Sequence, residues 1–185
     1  MKEREIYQNP QLDGTTFYWK GGENAVLCLH GFTATTVEVR KIAKYLTDSG
    51  CSTYGPLLPG HGTSPSDANK ASWKDWVQAA EEAYLKLKEE HRNVFVLGES
   101  MGGLLSLYLC QKYPEISGAM LFAPAIRIKN LFLTKLMWPF AEYRFKSYSG
   151  DDDMPWQGYD VIPLKAAANV YDLQRVVKQG IRKVK

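Results

Sequence analysis

The 185-residue sequence predicts an α/β fold: a mostly parallel sheet with helices on both faces, plus a small helical cap insertion. Three observations carry this. Residues 25–29, 93–97 and 118–122 are short, near-continuous apolar runs, the pattern of strands buried on both faces. Segments with helical periodicity separate them. The links are short, which favours right-handed parallel crossovers.

Taken in order, residues 15–19 are rich in β-formers and run into Gly21-Gly22, a strand and a turn. The run 25–29 ends at His30-Gly31-Phe32. A helix is expected over 37–48, after the cap candidates Thr35 and Thr36 and before Gly50. A short strand near 52–54 leads into Pro59-Gly60-His61-Gly62-Thr63-Ser64-Pro65, a loop dense in helix and strand breakers. Ser72 caps the next helix. There Trp73, Trp76, Val77, Ala80, Tyr84 and Leu87 share one face, and Lys74, Asp75, Glu81, Glu82, Lys88 and Glu89 the other. Residues 93–97 form a buried strand, 98–102 a tight turn, 104–112 an apolar helix closed by Tyr113-Pro114, and 118–122 one more buried strand.

After Ala123-Pro124 the alternation stops. Residues 125–180 carry exposed-looking aromatics (Phe132, Trp138, Phe140, Tyr143, Phe145, Tyr148, Trp156), an acidic turn at Asp151-Asp152-Asp153 and a helical stretch over 164–178. The chain therefore divides into a core over 1–124, a cap over 125–180 and the start of a returning core strand over 181–185.

Composition narrows the function. The net charge of +3 is small, and no basic stripe is interleaved with aromatics, so no nucleic-acid partner is expected. Three cysteines without regular spacing argue against a disulfide framework and a zinc site, and no metal or cofactor is expected. Residues 1–5 lack an apolar signal region, and no run approaches a membrane span. A cytoplasmic location with no stable membrane insertion fits this reading.

Ser100, in Gly98-Glu99-Ser100-Met101-Gly102, is the candidate nucleophile. A serine hydroxyl needs a base to take its proton and donors to hold an oxyanion. In a G-x-S-x-G turn the serine sits on a strained bend between strand and helix, with glycines where side chains would clash. Here an apolar run precedes the turn and an apolar helix follows it. The second element is His30-Gly31-Phe32-Thr33, at the end of an earlier buried strand. Ligands of open α/β sheets bind at such strand ends. The backbone N–H groups of Phe32 and Met101 are the candidate oxyanion donors, and both side chains are also placed against substrate. His30 reads as a brace of that loop.

The elements His30-Gly31-Phe32, Pro59-Gly60-His61-Gly62-Thr63-Ser64 and Gly98-Glu99-Ser100-Met101-Gly102-Gly103 resemble, in order and spacing, the α/β-hydrolase superfamily of serine esterases. The branch they look like contains bacterial monoacylglycerol lipases and small carboxylesterases. The resemblance is close over residues 20–125; the cap matches in position and aromatic character. It implies a carboxylic-ester hydrolase that forms an acyl-enzyme on Ser100, acts on small-molecule esters of medium or long acyl chains, and needs no cofactor. Leu136 and Met137 would then contact substrate in the cap, beside Leu131 and Leu133. A serine aminopeptidase or a hydrolase of feruloyl or cinnamoyl esters would share the fold. A non-catalytic binding protein or inactive fragment would keep the turn without a base.

The resemblance also implies a Ser, Asp, His triad in that chain order, the last two after the cap. No histidine follows His91. His61 lies in a loop that resembles a structural one, and His91 falls at the opposite end of the sheet from Ser100. Asp151, Asp152, Asp153 and Asp160 read as solvated turns. The chain is accordingly expected to be C-terminally truncated and weak or inactive alone. Its last strand would be an unprotected apolar edge open to self-association or to a complementing C-terminal polypeptide.

Overall fold

Alternation along one strand organises the interior. In β3 (Asn24–Leu29), Ala25, Leu27 and Leu29 point into one buried cluster and Val26 and Cys28 into another, as the two-residue period of a strand requires. The computed structural model describes residues 6–147 and 156–184. Its main sheet has five strands, with β3 at the centre. β4 (Ser52–Gly55) and β5 (Asn93–Glu99) flank it, and β2 (Phe17–Trp19) and β6 (Gly118–Phe122) form the edges. Only β2 is antiparallel to its neighbour.

Helices cover both faces. Val39 and Ala43 of α1 (Val37–Asp48) pack on Val26, Cys28 and Leu97. On the other side α3 (Trp73–Glu90) and α4 (Met101–Lys112) bury Trp76, Tyr84, Leu87, Leu104 and Leu105 against Leu27 and Leu29. Each such side chain contributes about 1.5–3 kcal/mol by leaving water.

The helix starts show local chemistry at work. Ser72 and Asp75 form a reciprocal capping box, Ser72 Oγ accepting from the Asp75 N–H and the Asp75 carboxylate accepting from the Ser72 N–H. α1 departs from the expected cap. Thr36 makes no side-chain cap bond and donates its hydroxyl to Thr15 O, while Thr35 Oγ1 meets the Val37 N–H at 3.4 Å and donates to Gln157. Tertiary partners have claimed both hydroxyls. Sequence reading also missed α2 (Pro65–Lys70), a one-turn helix capped by Ser64 through the Asp67 N–H.

β6 lies where expected but is less buried than its composition suggests. It pairs only with β5 among the described residues, and Phe122 is 46% exposed.

Residues 125–180 divide in two. The first part holds α5 (Thr134–Met137) and β7 (Tyr143–Phe145), with Phe132, Trp138, Phe140 and Phe145 exposed. The second holds β8 (Gly158–Tyr159), β9 (Val161–Pro163) and α6 (Leu164–Gly180), whose Leu164, Ala166, Val170, Leu173 and Val177 are buried. β9 pairs with β7, and β8 pairs with β1 (Tyr7–Gln8). The helix extends to Gly180, and Ile181–Lys183, where a returning strand was expected to start, form a 3-10 turn. The expected acidic turn at Asp151-Asp152-Asp153, and Tyr148, lie outside the described residues. No described helix is long and apolar enough to cross a membrane.

Candidate active site

β5 ends in a bend that places Ser100 at φ 51°, ψ −108° before α4 begins. Positive φ in a residue with a Cβ costs on the order of 1–3 kcal/mol and persists only where the surroundings hold it. The Ser100 N–H donates to Phe122 O (2.9 Å), and Ser100 O accepts from the N–H groups of Leu104 (3.3 Å) and Ala125 (3.0 Å). The flanking glycines are required by space. A Cβ on Gly98 would stand 2.2 Å from Gly102 O, and one on Gly102 would stand 2.0 Å from Leu29 O. The motif therefore packs the start of α4 directly onto the end of β3.

Register brings the two sequence-predicted elements together. Leu29 lies level with Gly98 in the β3–β5 pair, so Gly31 falls beside Ser100. A Cβ on Gly31 would be 3.4 Å from Ser100 Cβ. Phe32 follows, half-buried, its ring against those of His61 and Trp76. Met101 opens α4 and is fully buried, which confines its side chain to the core.

His30 is a brace. It is fully buried, its Nδ1 pairs with Gly31 O (2.9 Å), and its Nε2 accepts from the Leu58 N–H (3.0 Å). This pattern makes Nδ1 the protonated nitrogen. Burial drives its pKa down to about 3, with neighbouring His61 adding to the shift. Burial also lowers His61, to about 4. Its Nδ1 pairs with Pro59 O (3.1 Å), and its buried Nε2 has no hydrogen-bond partner among the described residues. His91 ends α3 and meets Tyr18 OH at 3.0 Å, at the far end of the sheet. Among the described residues no imidazole hydrogen-bonds to Ser100.

Sequence reading missed a group of charges behind the His30-Gly31-Phe32 loop. Glu38 Oε2, from the first turn of α1, accepts from the Gly31 N–H at 2.5 Å. Burial raises its pKa to about 7, the nearby Glu99 adding to the rise and Lys146 opposing it. Lys146 Nζ donates to Thr33 Oγ1 (2.6 Å) and lies 4.5 Å from the centre of the Trp156 ring. Burial lowers it to about 8, against the pull of Asp160 and Glu38. Asp160 is itself buried, which corrects its reading as a solvated turn. The turn between β8 and β9 carries it inward, its N–H reaches Ile6 O (2.7 Å), and Lys146 supplies the opposing charge. An acid in the first turn of a helix reads simply as complementing the helix dipole, so Glu38 gave no separate signal.

Leu136 (65% exposed) and Met137 (41%) lie on α5. An open cleft of about 360 Å³ near them is lined by Asn69, Trp138, Phe140, Glu142 and Lys165. Ser100 is not among its lining residues. No three His, Cys, Asp or Glu side chains among the described residues form a metal-ligand cluster.

The sheet order, the bend at Ser100 and the adjoining Gly31 define an α/β-hydrolase. The serine aminopeptidase S33 family matches residues 22–156, and the chain belongs to it. Over 122 residues it is 39% identical to the thermostable monoacylglycerol lipase of Bacillus sp. (strain H-257), covering 65% of this chain and 49% of the relative. Over 115 residues it is 36% identical to a carboxylesterase of Bacillus subtilis (strain 168), covering 62% and 46%. A structure described with the metagenome-derived lipolytic enzymes LipS and LipT superposes with a TM-score of 0.86 at 25% identity, covering 93% of this chain and 72% of that one. The chain spans about half the length of the curated relatives it matches.

Proposed function

We propose that this chain carries the nucleophile and oxyanion hole of a carboxylic-ester hydrolase of the monoacylglycerol-lipase kind. One observation carries the reading: Ser100 at φ 51° on the strand–helix bend, with Gly31 against it. Ser100 Oγ attacks the ester carbonyl, the backbone N–H groups of Phe32 and Met101 hold the oxyanion, the alcohol leaves, and water releases the acid from the acyl-enzyme. The identity to a monoacylglycerol lipase and a carboxylesterase supports an ester with a medium or long acyl chain. The exposed apolar side chains of α5, Leu136 and Met137 among them, offer it contact.

Activation of Ser100 requires a base, and no histidine of the sequence hydrogen-bonds to Ser100. His30 is held at both ring nitrogens, His61 is turned to Pro59, and His91 lies at the far end of the sheet. The reading therefore leaves the base and its acid unassigned among the described residues. Without them, the oxyanion hole and binding leave a residual rate on the order of 10³–10⁴ over water.

Labelling with a fluorophosphonate and turnover of p-nitrophenyl esters of graded chain length test the proposal. The expected outcome is slow, stoichiometric labelling that maps to Ser100 and vanishes in Ser100→Ala, with the best turnover on medium or long chains. Labelling unaffected by Ser100→Ala overturns it. A profile favouring aminoacyl amides or feruloyl esters would instead support the aminopeptidase or aromatic-ester reading.

A further inference from the structure

The loop of residues 30–34 is held from outside itself at several points. From α1, the Glu38 carboxylate takes the Gly31 N–H. From the cap, the Lys146 ammonium donates to Thr33 Oγ1, the Tyr159 N–H donates to Thr33 O (2.8 Å), and Ala34 bridges to Gly158. Thr33 needs such restraint, since it sits at φ 68° with a branched side chain. Gly31 is confined on two sides. A Cβ there would lie 2.9 Å from Glu38 Oε2 and 3.4 Å from Ser100 Cβ. The bare glycine is what lets the carboxylate and the serine both approach the space a side chain would fill.

Stability alone does not account for the charges. A carboxylate and an ammonium drawn into the interior seldom gain more than apolar residues of the same volume would. What such groups can do is select one backbone arrangement, and here both act on the same three residues. We propose that Glu38 and Lys146 are positioning residues for the oxyanion loop: Glu38 fixes the Gly31 peptide next to Ser100, and Lys146 transmits the seating of the cap to Thr33. Taking up the Gly31 N–H leaves the N–H of Phe32, one residue on, as the loop's donor to the reaction. The inference rests on the esterase reading above.

The test has two readouts, one independent of activity. In the ¹⁵N-labelled chain, amide exchange is followed at Gly31 and, as a control, along β3 and β5. In parallel, the rate of fluorophosphonate labelling of Ser100 is measured. Glu38→Ala is expected to speed Gly31 exchange about tenfold or more, the scale of a lost hydrogen bond to a charged group. The strands should stay protected and Ser100 labelling should slow about tenfold. Glu38→Gln keeps an acceptor and should lie within about threefold of the parent on both readouts. Lys146→Met keeps the aliphatic stem and should loosen Thr33 while the β3 and β5 amides remain protected. Unchanged Gly31 exchange in Glu38→Ala overturns the clamp, whatever the serine does. Faster exchange with unchanged labelling overturns its positioning role, as does Glu38→Gln behaving like Glu38→Ala when both are folded. A parent chain that does not label at Ser100 overturns the esterase reading and leaves the clamp to be decided by Gly31 exchange. Should Glu38→Ala fail to fold, the parent decides: a Gly31 amide that exchanges as fast as an open loop overturns the clamp, and unchanged Thr33 exchange in Lys146→Met overturns the link to the cap.

Discussion

Residues 24–122 and residues 125–180 are held by different physics. In the first region the order is largely local: β3 alternates between two buried clusters, α1 and α3 each bury one face, and β3 lies beside β4 and β5 beside β6. In the second, short strands pair with distant partners. β8 finds β1, Gln157 reaches Asn9 O and Leu12 O, and Tyr159 OH bridges the Thr63 N–H and Gly60 O. The first region gains its stability from packed apolar volume; the second shares that core through Tyr159, Val161 and the buried face of α6, and adds polar ties across long chain separations. A reader of sequence sees the former as a pattern and cannot see the latter.

The largest effect should come from Gly102→Ala, at the point where α4 rests on β3. The added Cβ would meet Leu29 O at 2.0 Å and His30 O at 2.9 Å, both backbone atoms of the central strand and its extension. The expected loss exceeds about 3 kcal/mol, since neither partner can turn away. A urea midpoint within error of the parent would show that the helix can lift off the sheet and that the core is less rigid than described.

That glycine was legible because G-x-S-x-G places it. So were Ser100, the β3 and β5 runs, the Ser72 cap and the bounds of α1 and β6. The register Leu29–Gly98, which brings Gly31 to Ser100, follows from two strands of like length ending in turns. Glu38, Lys146 and Asp160 were not legible. Each is an ordinary charged residue in its own segment: Glu38 acquires meaning when α1 folds back on the Gly31 peptide, and Lys146 and Asp160 when β8 and β9 bring the cap against the loop after β3. Thr35 and Thr36 show the same limit from the other side, their hydroxyls diverted from the expected cap to Gln157 and Thr15.

Trp76→Ala and Gln157→Ala set the two regions side by side. Trp76 is fully buried among His61, Phe32 and α3 neighbours, its Nε1 donating to Pro59 O at 3.0 Å. Its truncation should cost about 3–5 kcal/mol, seen as a lower midpoint for the whole chain. Gln157→Ala strips donors from Asn9 O and Leu12 O and should cost about 1–3 kcal/mol. That loss should appear first as faster amide exchange over 7–12, with the β3 and β5 amides unaffected. Equal and global losses from both would erase the distinction.

Acid should probe the buried histidines. His30 and His61 have native pKa values near 3 and 4 against 6.5 for the free side chain, so the unfolded chain takes up protons first. Their contribution is complete above pH 6.5 and is lost as pH falls toward 4. Glu38 works in the opposite sense. Its native value near 7 lies above the ordinary 4.5 of a free carboxyl, so its contribution is present below pH 4.5 and is lost as pH rises through 7. Two histidines oppose Glu38 and Glu99, the latter also raised by burial, so the net loss is at most ~1.4 kcal/mol per pH unit between 6.5 and 4.5. His61→Phe removes one of the two, and Pro59 O keeps the Trp76 donor. In that variant the urea midpoint should be nearly flat over the same window. An undiminished slope would place the titration elsewhere.

The smallest effect on folding should come from Phe140→Ser. Phe140 is 90% exposed, beside Trp138 on the open cleft at the end of α5. A residue so placed contributes little to the interior, and the midpoint should move by less than about 0.5 kcal/mol. The proposed function asks something different of the same surface. If the exposed apolar face of the cap meets the acyl chain, the variant should raise KM for long-chain esters and leave short-chain turnover unchanged. Equal changes for both chain lengths would remove Phe140 from the acyl path. A stability loss above 1 kcal/mol would show that the cap is packed as the core is, and the contrast between the two regions would fail where it is drawn most sharply.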